Sequence, residues 1–215
     1  GPKAGGPLYL GRLVETPPLP PGAGAGPADP ALAALASWLE ARGLGADAAA
    51  ARACAARSAL GLRQELAGPV GERNIYVLQP RGRILLVPET PTGLLRQLSA
   101  ALATGNTVAI DTASGHGETL AGVPDCVAGR IRWTADWAAD GPFAGALVEG
   151  DAPTVRARTQ RIAALPGPLV PVQAATSAEM ARDGEALCLT WLLEEVTLST
   201  NTAAAGGNAS LMAIG

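Results

Sequence analysis

At 215 residues, with 48% hydrophobic and 16% charged side chains, the chain has the composition of one folded domain, or a domain with an appendage, and not of a disordered polymer, although 27 Gly and 18 Pro imply long irregular stretches. A formal charge of −3 gives no reason to expect binding to nucleic acid or to an anionic membrane surface. Cys54, Cys126 and Cys188 form no Cys-x-x-Cys pair and are odd in number, which argues against a disulfide framework or zinc site and fits reduced thiols in a cytosolic protein. No apolar run approaches the roughly 20 residues a membrane span needs, and no secretory signal is present.

The opening "GPKAGGPLYLGRLVE" has little helical periodicity and reads as a short extended stretch over residues 8–14, with no starting Met, as if cut from a longer protein. In "TPPLPPGAGAGPADP" the prolines remove amide donors and the glycines add backbone entropy, so this is a linker. Asp29-Pro30 then starts a helix with the apolar stripe Leu32, Leu35, Trp38 and Leu39, stopped at Gly43. A second, Ala-rich helix runs from a cap near Asp47 to about Leu60, completing a helical hairpin. "IYVLQPRGRILLVPE" offers two β-rich runs split at residues 80–82, the second continuously apolar as in a strand buried on both faces. Thr90-Pro91 caps a helix carrying Leu94, Leu95, Leu98, Ala101 and Leu102, which Gly105 ends. Strands over residues 107–110, 130–133, 145–149 and 169–173 follow, with a short helical segment at 118–121 and a helix at 153–164. The alternation defines an α/β fold, a Rossmann-like, doubly wound, mostly parallel sheet preceded by the helical hairpin. It is followed by a C-terminal β-strand or flap, in which Val196 and Leu198 face one way and Glu195, Thr197 and Ser199 the wet way.

A doubly wound sheet invites a nucleotide site, and the first strand-to-helix turn tests it. A pyrophosphate needs close-approach glycines, free amides and no nearby anion. This turn reads "VPETPTG": Pro88 and Pro91 lack amides and Glu89 adds a negative charge. Asp111 sits where a ribose-binding acid would lie but reads better as a helix cap, and "SGHGE" is a lone G-x-G. The only histidine, His116, sits in a Gly-flanked loop and reads as surface-exposed; Cys126 has no cation nearby in sequence; Arg156, Arg158 and Arg161 read as a solvated helix face. These readings assign no catalytic, cofactor-binding or metal-ligating residue to the segment.

Three blocks carry a resemblance. "GPKAGGPLYLGRL" resembles the end of the aldehyde dehydrogenase module in the bacterial proline utilization A family. "GERNIYVLQPRGRILLVPE" resembles the start of the extra C-terminal domain of its long members, and "EEVTLSTNTAAAGGNASLMAIG" resembles their C-terminal motif. The resemblance implies residues 1–14 as the tail of a preceding aldehyde dehydrogenase domain and 15–29 as a Pro/Gly-rich linker. Residues 30–193 become a non-catalytic Rossmann-like domain of the aldehyde dehydrogenase superfamily, and 194–215 a docking strand with its tail. It also implies a parent enzyme oxidising proline to glutamate through an FAD-dependent proline dehydrogenase and an NAD-dependent semialdehyde dehydrogenase linked by a tunnel. FAD and NAD belong to that parent, none to this segment. The parent is expected in the cytoplasm, with a peripheral option at the inner membrane. The segment would cover the tunnel and dock on the preceding catalytic domains of the same polypeptide through Val196, Leu198, Thr200, Asn201, Thr202, Ala203, Ala204, Ala205, Gly206, Gly207 and Asn208, the small side chains letting backbone approach closely. Two alternatives stay open: a self-assembly module joining copies into a homo-oligomer through the same strand, and an NAD-binding aldehyde-dehydrogenase-like domain.

Overall fold

Asp29 opens the first helix as its sequence predicts: its carboxylate accepts from the amide of Ala31 at 2.8 Å, and Pro30 follows at a position where no amide is needed. The computed structural model describes residues 6, 8–13, 22–24, 26, 28–68, 71–182 and 186–201. Helix α1, Pro30–Ala41, buries Leu32, Leu35 and Leu39, while Trp38 is half-buried beneath the Arg42 guanidinium. Helix α2 spans Gly45–Arg57 and begins two residues before the expected cap. Asp47 makes no cap; it lies 3.5 Å from Arg96 on the neighbouring helix, a mostly buried ion pair. The helix stops short of Leu60 because the Ser58 hydroxyl bonds the carbonyl of Ala103 and turns the chain into extended backbone.

Two sheets follow. Strands β1 (Arg63–Leu66), β2 (Glu72–Pro80) and β8 (Leu193–Asn201) form an antiparallel sheet in the order β1-β2-β8. Strands β3 (Arg83–Val87), β4 (Thr107–Asp111), β5 (Ile131–Thr134), β6 (Gly145–Glu149) and β7 (Val172–Ala175) form a parallel sheet in the order β5-β4-β3-β6-β7. The chain winds outward from β3 in both directions, which is the doubly wound arrangement the alternation predicts. Strand β3 is buried on both faces. Ile84 and Leu86 face a core shared with α1, α2 and helix α3 (Pro91–Ala103). Leu85 and Val87 face a second core with Trp137, Phe143 and Ile162, the last on helix α6 (Ala152–Ala163).

Several elements differ from expectation. Strand β2, the first half of "IYVLQPRGRILLVPE", lies outside the parallel sheet and pairs with β8 in a sheet that the sequence did not define, its register running from Glu72 opposite Asn201 to Pro80 opposite Leu193. Residues 8–14 are not extended within their described part: a 3-10 turn covers Leu10–Leu13, following a bond from the Tyr9 amide to the carbonyl of Gly6. Strand β7 begins after Pro171, three residues later than read. Short helices α4 (Asp125–Ala128), α5 (Trp137–Asp140) and α7 (Ser177–Arg182), and the whole of β1, were not anticipated. A buried amide joins the two sheets. Asn106 accepts from the Gly82 amide at 2.8 Å and donates to the carbonyl of Leu192 at 2.9 Å, fixing the start of β8 against the turn between β2 and β3. Among the described residues no helix is long and apolar enough to cross a membrane.

Candidate functional site

The crevice of a doubly wound sheet opens where the winding reverses, here between the C-terminal ends of β3 and β6. Two helices begin there, and the amides of such first turns attract anions. Helix α3 starts with Thr90 as its cap, the hydroxyl accepting from the Gly93 amide at 2.9 Å. Across the crevice, Glu149 ends β6 with its side chain fully buried. Its carboxylate accepts from the amides of Glu89 and Thr90 at 2.8 and 3.0 Å and from the Thr90 hydroxyl at 2.7 Å. The fit is close enough that a Cβ placed on Gly93 would stand 1.7 Å from a Glu149 oxygen. Helix α6 is likewise filled, because the Asp151 carboxylate accepts from the Thr154 amide at 3.0 Å. The hydrogen bonds at that cap hold the Asp151 carboxyl below the usual carboxylate range.

Glu89, expected to repel a phosphate, instead pairs with Arg158 at 3.2 Å, and Arg158 also donates to the Glu149 carbonyl. The residue seated at the start of α3 is Glu149, which the sequence reading did not single out. Its signal was faint: a lone acid ending an otherwise apolar strand. Asp111 is the cap it was read to be, accepting from the Ala113 amide at 3.3 Å. His116 is not surface-exposed: it is half-buried, with a buried Nε2 that has no hydrogen-bond partner among the described residues. Its carbonyl accepts from the Thr119 amide within the 3-10 turn Gly117–Leu120 that follows it. The three arginines of α6 do not share one solvated face. Arg158 serves the strand end, Arg161 lies 3.7 Å over the Trp137 ring, and Arg156 is exposed. Cys126 is exposed; Cys54 is buried, and burial pushes its thiol pKa up. No group of three or more His, Cys, Asp or Glu able to hold a metal occurs among the described residues. A donor set already filled by two of the chain's own carboxylates does not fit a dinucleotide pyrophosphate.

The second candidate surface is β8. Its pairing with β2 uses one edge, and among the described residues no strand pairs with the other. The face assignment is reversed from expectation. Glu195 and Thr197 stand opposite Leu78 and Tyr76 on the inner face, where the Tyr76 hydroxyl donates to Glu195 at 2.7 Å and the Leu8 amide does so at 3.2 Å. This buried tyrosine can supply a proton to a carboxylate, so the polar residue turns inward. Val196 and Leu198, paired with Val77 and Ile75, lie on the outer face, where Leu198 is 53% exposed. Thr200 and Asn201 are exposed at the strand end, and Thr202, Ala203, Ala204, Ala205, Gly206, Gly207 and Asn208 lie outside the described residues.

The fold defined by this sheet order is the Rossmann-like one found in aldehyde dehydrogenases. A substrate-bound AldH from Staphylococcus aureus superposes with a TM-score of 0.50 at 13% identity, over 68% of this chain and 40% of that one. A structure of proline utilization A with proline bound in remote sites gives 0.51 at 23% identity, over 68% of this chain and 19% of that one. No family model matches the chain. In sequence it matches, over its whole length, a segment of PutA: it is 63% identical to the bifunctional protein PutA of Rhizobium meliloti across all 215 residues. The chain spans 18% of the length of that relative.

Proposed function

We propose that the chain is the C-terminal portion of a bifunctional proline-catabolic polypeptide and serves there as a non-catalytic cover over the tunnel between the two catalytic centres. Proline dehydrogenase chemistry with FAD and semialdehyde dehydrogenase chemistry with NAD belong to the other domains of that polypeptide. Within the segment, residues 1–14 close the preceding domain, 15–29 link, 30–193 form the cover and 194–215 dock it. The observation that carries this reading is the outer side of β8, with an unpaired edge among the described residues and an exposed Leu198 on its apolar face. Such an edge is normally blunted or covered, and an added strand would do so with main-chain hydrogen bonds. The filled crevice supports the absence of cofactor chemistry in the segment.

The test is removal of residues 201–215 from the full polypeptide. Each half-reaction assayed alone should keep its rate, while coupled conversion of proline to glutamate should gain a lag. An unchanged lag overturns the proposal. A fall in sedimentation coefficient without any lag would assign the strand to self-association instead.

A further inference from the structure

We infer that Glu149 is an internal ligand: its carboxylate takes the seat at the start of α3 that a phosphate would use, and this side chain decides that the crevice refuses phosphates. The inference deepens the non-catalytic reading above and rests on it. A phosphate seat requires main-chain donors at a helix start, a hydroxyl and a glycine that lets backbone come close. The start of α3 has all of these in the amides of Glu89 and Thr90, the Thr90 hydroxyl and Gly93. Pro88 and Pro91 therefore do not disable the turn, since neither prolyl nitrogen is among the donors that converge. Every converging donor is consumed by one buried anion from the far side of the crevice. Gly93 makes the point independently, because the space that a side chain would fill holds the Glu149 carboxylate.

A cation is also in place. Arg158 reaches the end of β6, bonding the Glu149 carbonyl and facing Glu89. Without the Glu149 carboxylate, two amides and a hydroxyl would be left with unmet donors in a part-buried position, near the Arg158–Glu89 ion pair. An unmet buried donor is costly, so a small anion entering from solvent would bind there. The seat at α6 would stay closed because Asp151 caps it from its own chain position. The ligand class is thus a phosphate or pyrophosphate group at α3 alone.

The experiment is calorimetry of inorganic pyrophosphate with the 215-residue chain and its Glu149→Ala, Glu149→Ser and Glu149→Gln variants, alongside thermal denaturation with and without pyrophosphate. The wild type should give no binding at millimolar pyrophosphate. Glu149→Ala should bind at least tenfold more tightly than the wild type and gain thermal stability from the ligand. Adding Thr90→Val should weaken that binding. Glu149→Gln keeps the shape and an accepting oxygen, so it still fills the seat and should not bind; Glu149→Ser empties the seat, provides the readout should the alanine variant fail to fold, and should bind detectably. A folded variant with the seat emptied whose melting temperature ignores pyrophosphate overturns this inference and leaves the cover function standing. Pyrophosphate binding by the wild type would remove both.

Discussion

Gly93 and Glu149 are distant in sequence but make one contact, and its sign can be measured. Replacing a helical glycine by alanine ordinarily stabilises by up to about 1 kcal/mol. At Gly93 the new Cβ would collide with the buried carboxylate, and overpacking of this kind costs about 1–3 kcal/mol. Gly93→Ala should therefore destabilise the wild type in urea denaturation, and should become neutral or stabilising when Glu149 is also alanine. A cost that persists unchanged in the double variant would mean that the clash is not with Glu149. Tyr76 gives a pH-dependent counterpart. Burial raises its pKa well above the ordinary value, and the hydrogen bond and negative charge of Glu195 raise it further. A raised folded-state pKa gives stability that is complete below the unfolded value of about 10 and is lost as pH rises beyond it. Tyr76→Phe should cost about 1–3 kcal/mol at neutral pH, because Glu195 loses a buried donor. The difference between variant and wild type should shrink as pH rises above about 10; a constant difference would remove the tyrosine from the alkaline transition.

At the level of elements, what could be read from sequence divides along the range of the interactions involved. Helix α3 and strand β6 were legible because their signals are local: Thr90-Pro91 caps one, and a short apolar run between glycines marks the other. Strand β1, "RQEL", carries no apolar alternation and exists because β2 pairs with it, Gln64 opposite Tyr76. The membership of β2 could not be read because it depends on β8, more than a hundred residues away in the chain, and the inward turn of Glu195 depends on Tyr76 in the same way. At the crevice the sequence pointed to Glu89, which is local to the turn, whereas the carboxylate seated at the start of α3 is Glu149, which arrives through the fold. Asn106 belongs to this long-range class too. Its amide is a joint between the sheets, so Asn106→Ala leaves the Gly82 amide and the Leu192 carbonyl without that partner. The Gly82 amide lies on an exposed residue and can turn to water, but the buried Leu192 carbonyl cannot, so at about 1–3 kcal/mol for that unmet group the loss should be about 1–3 kcal/mol in equilibrium unfolding. It should also speed amide exchange in β8 more than in β4. Equal exchange rates in the two strands would show that the antiparallel sheet is held by its core alone.

For the whole molecule the question is whether the antiparallel sheet serves the domain's own stability or its attachment to something else, and the two faces of β8 separate these roles. The inner face contributes Leu193 to a small core with Ala59, Tyr76 and Leu78, so changes there should unfold the sheet. The outer face presents Leu198 to solvent in the isolated chain, and substitution of an exposed side chain away from caps and buried networks usually changes stability by no more than about 0.5 kcal/mol. Leu198→Asp should therefore leave the melting temperature of the chain within a few degrees of the wild type. In the full polypeptide the same change would place a charge in the proposed apolar contact, where an unpaired buried charge is strongly disfavoured. The cover should then detach, lengthening the lag of coupled turnover while each half-reaction keeps its rate. Leu193→Asp is the converse control: it should lower stability in both settings, since its side chain is buried before any docking occurs. If Leu198→Asp unfolds the isolated chain as Leu193→Asp does, the outer face is part of the domain's own core. If it changes neither stability nor lag, the attachment lies elsewhere on the surface.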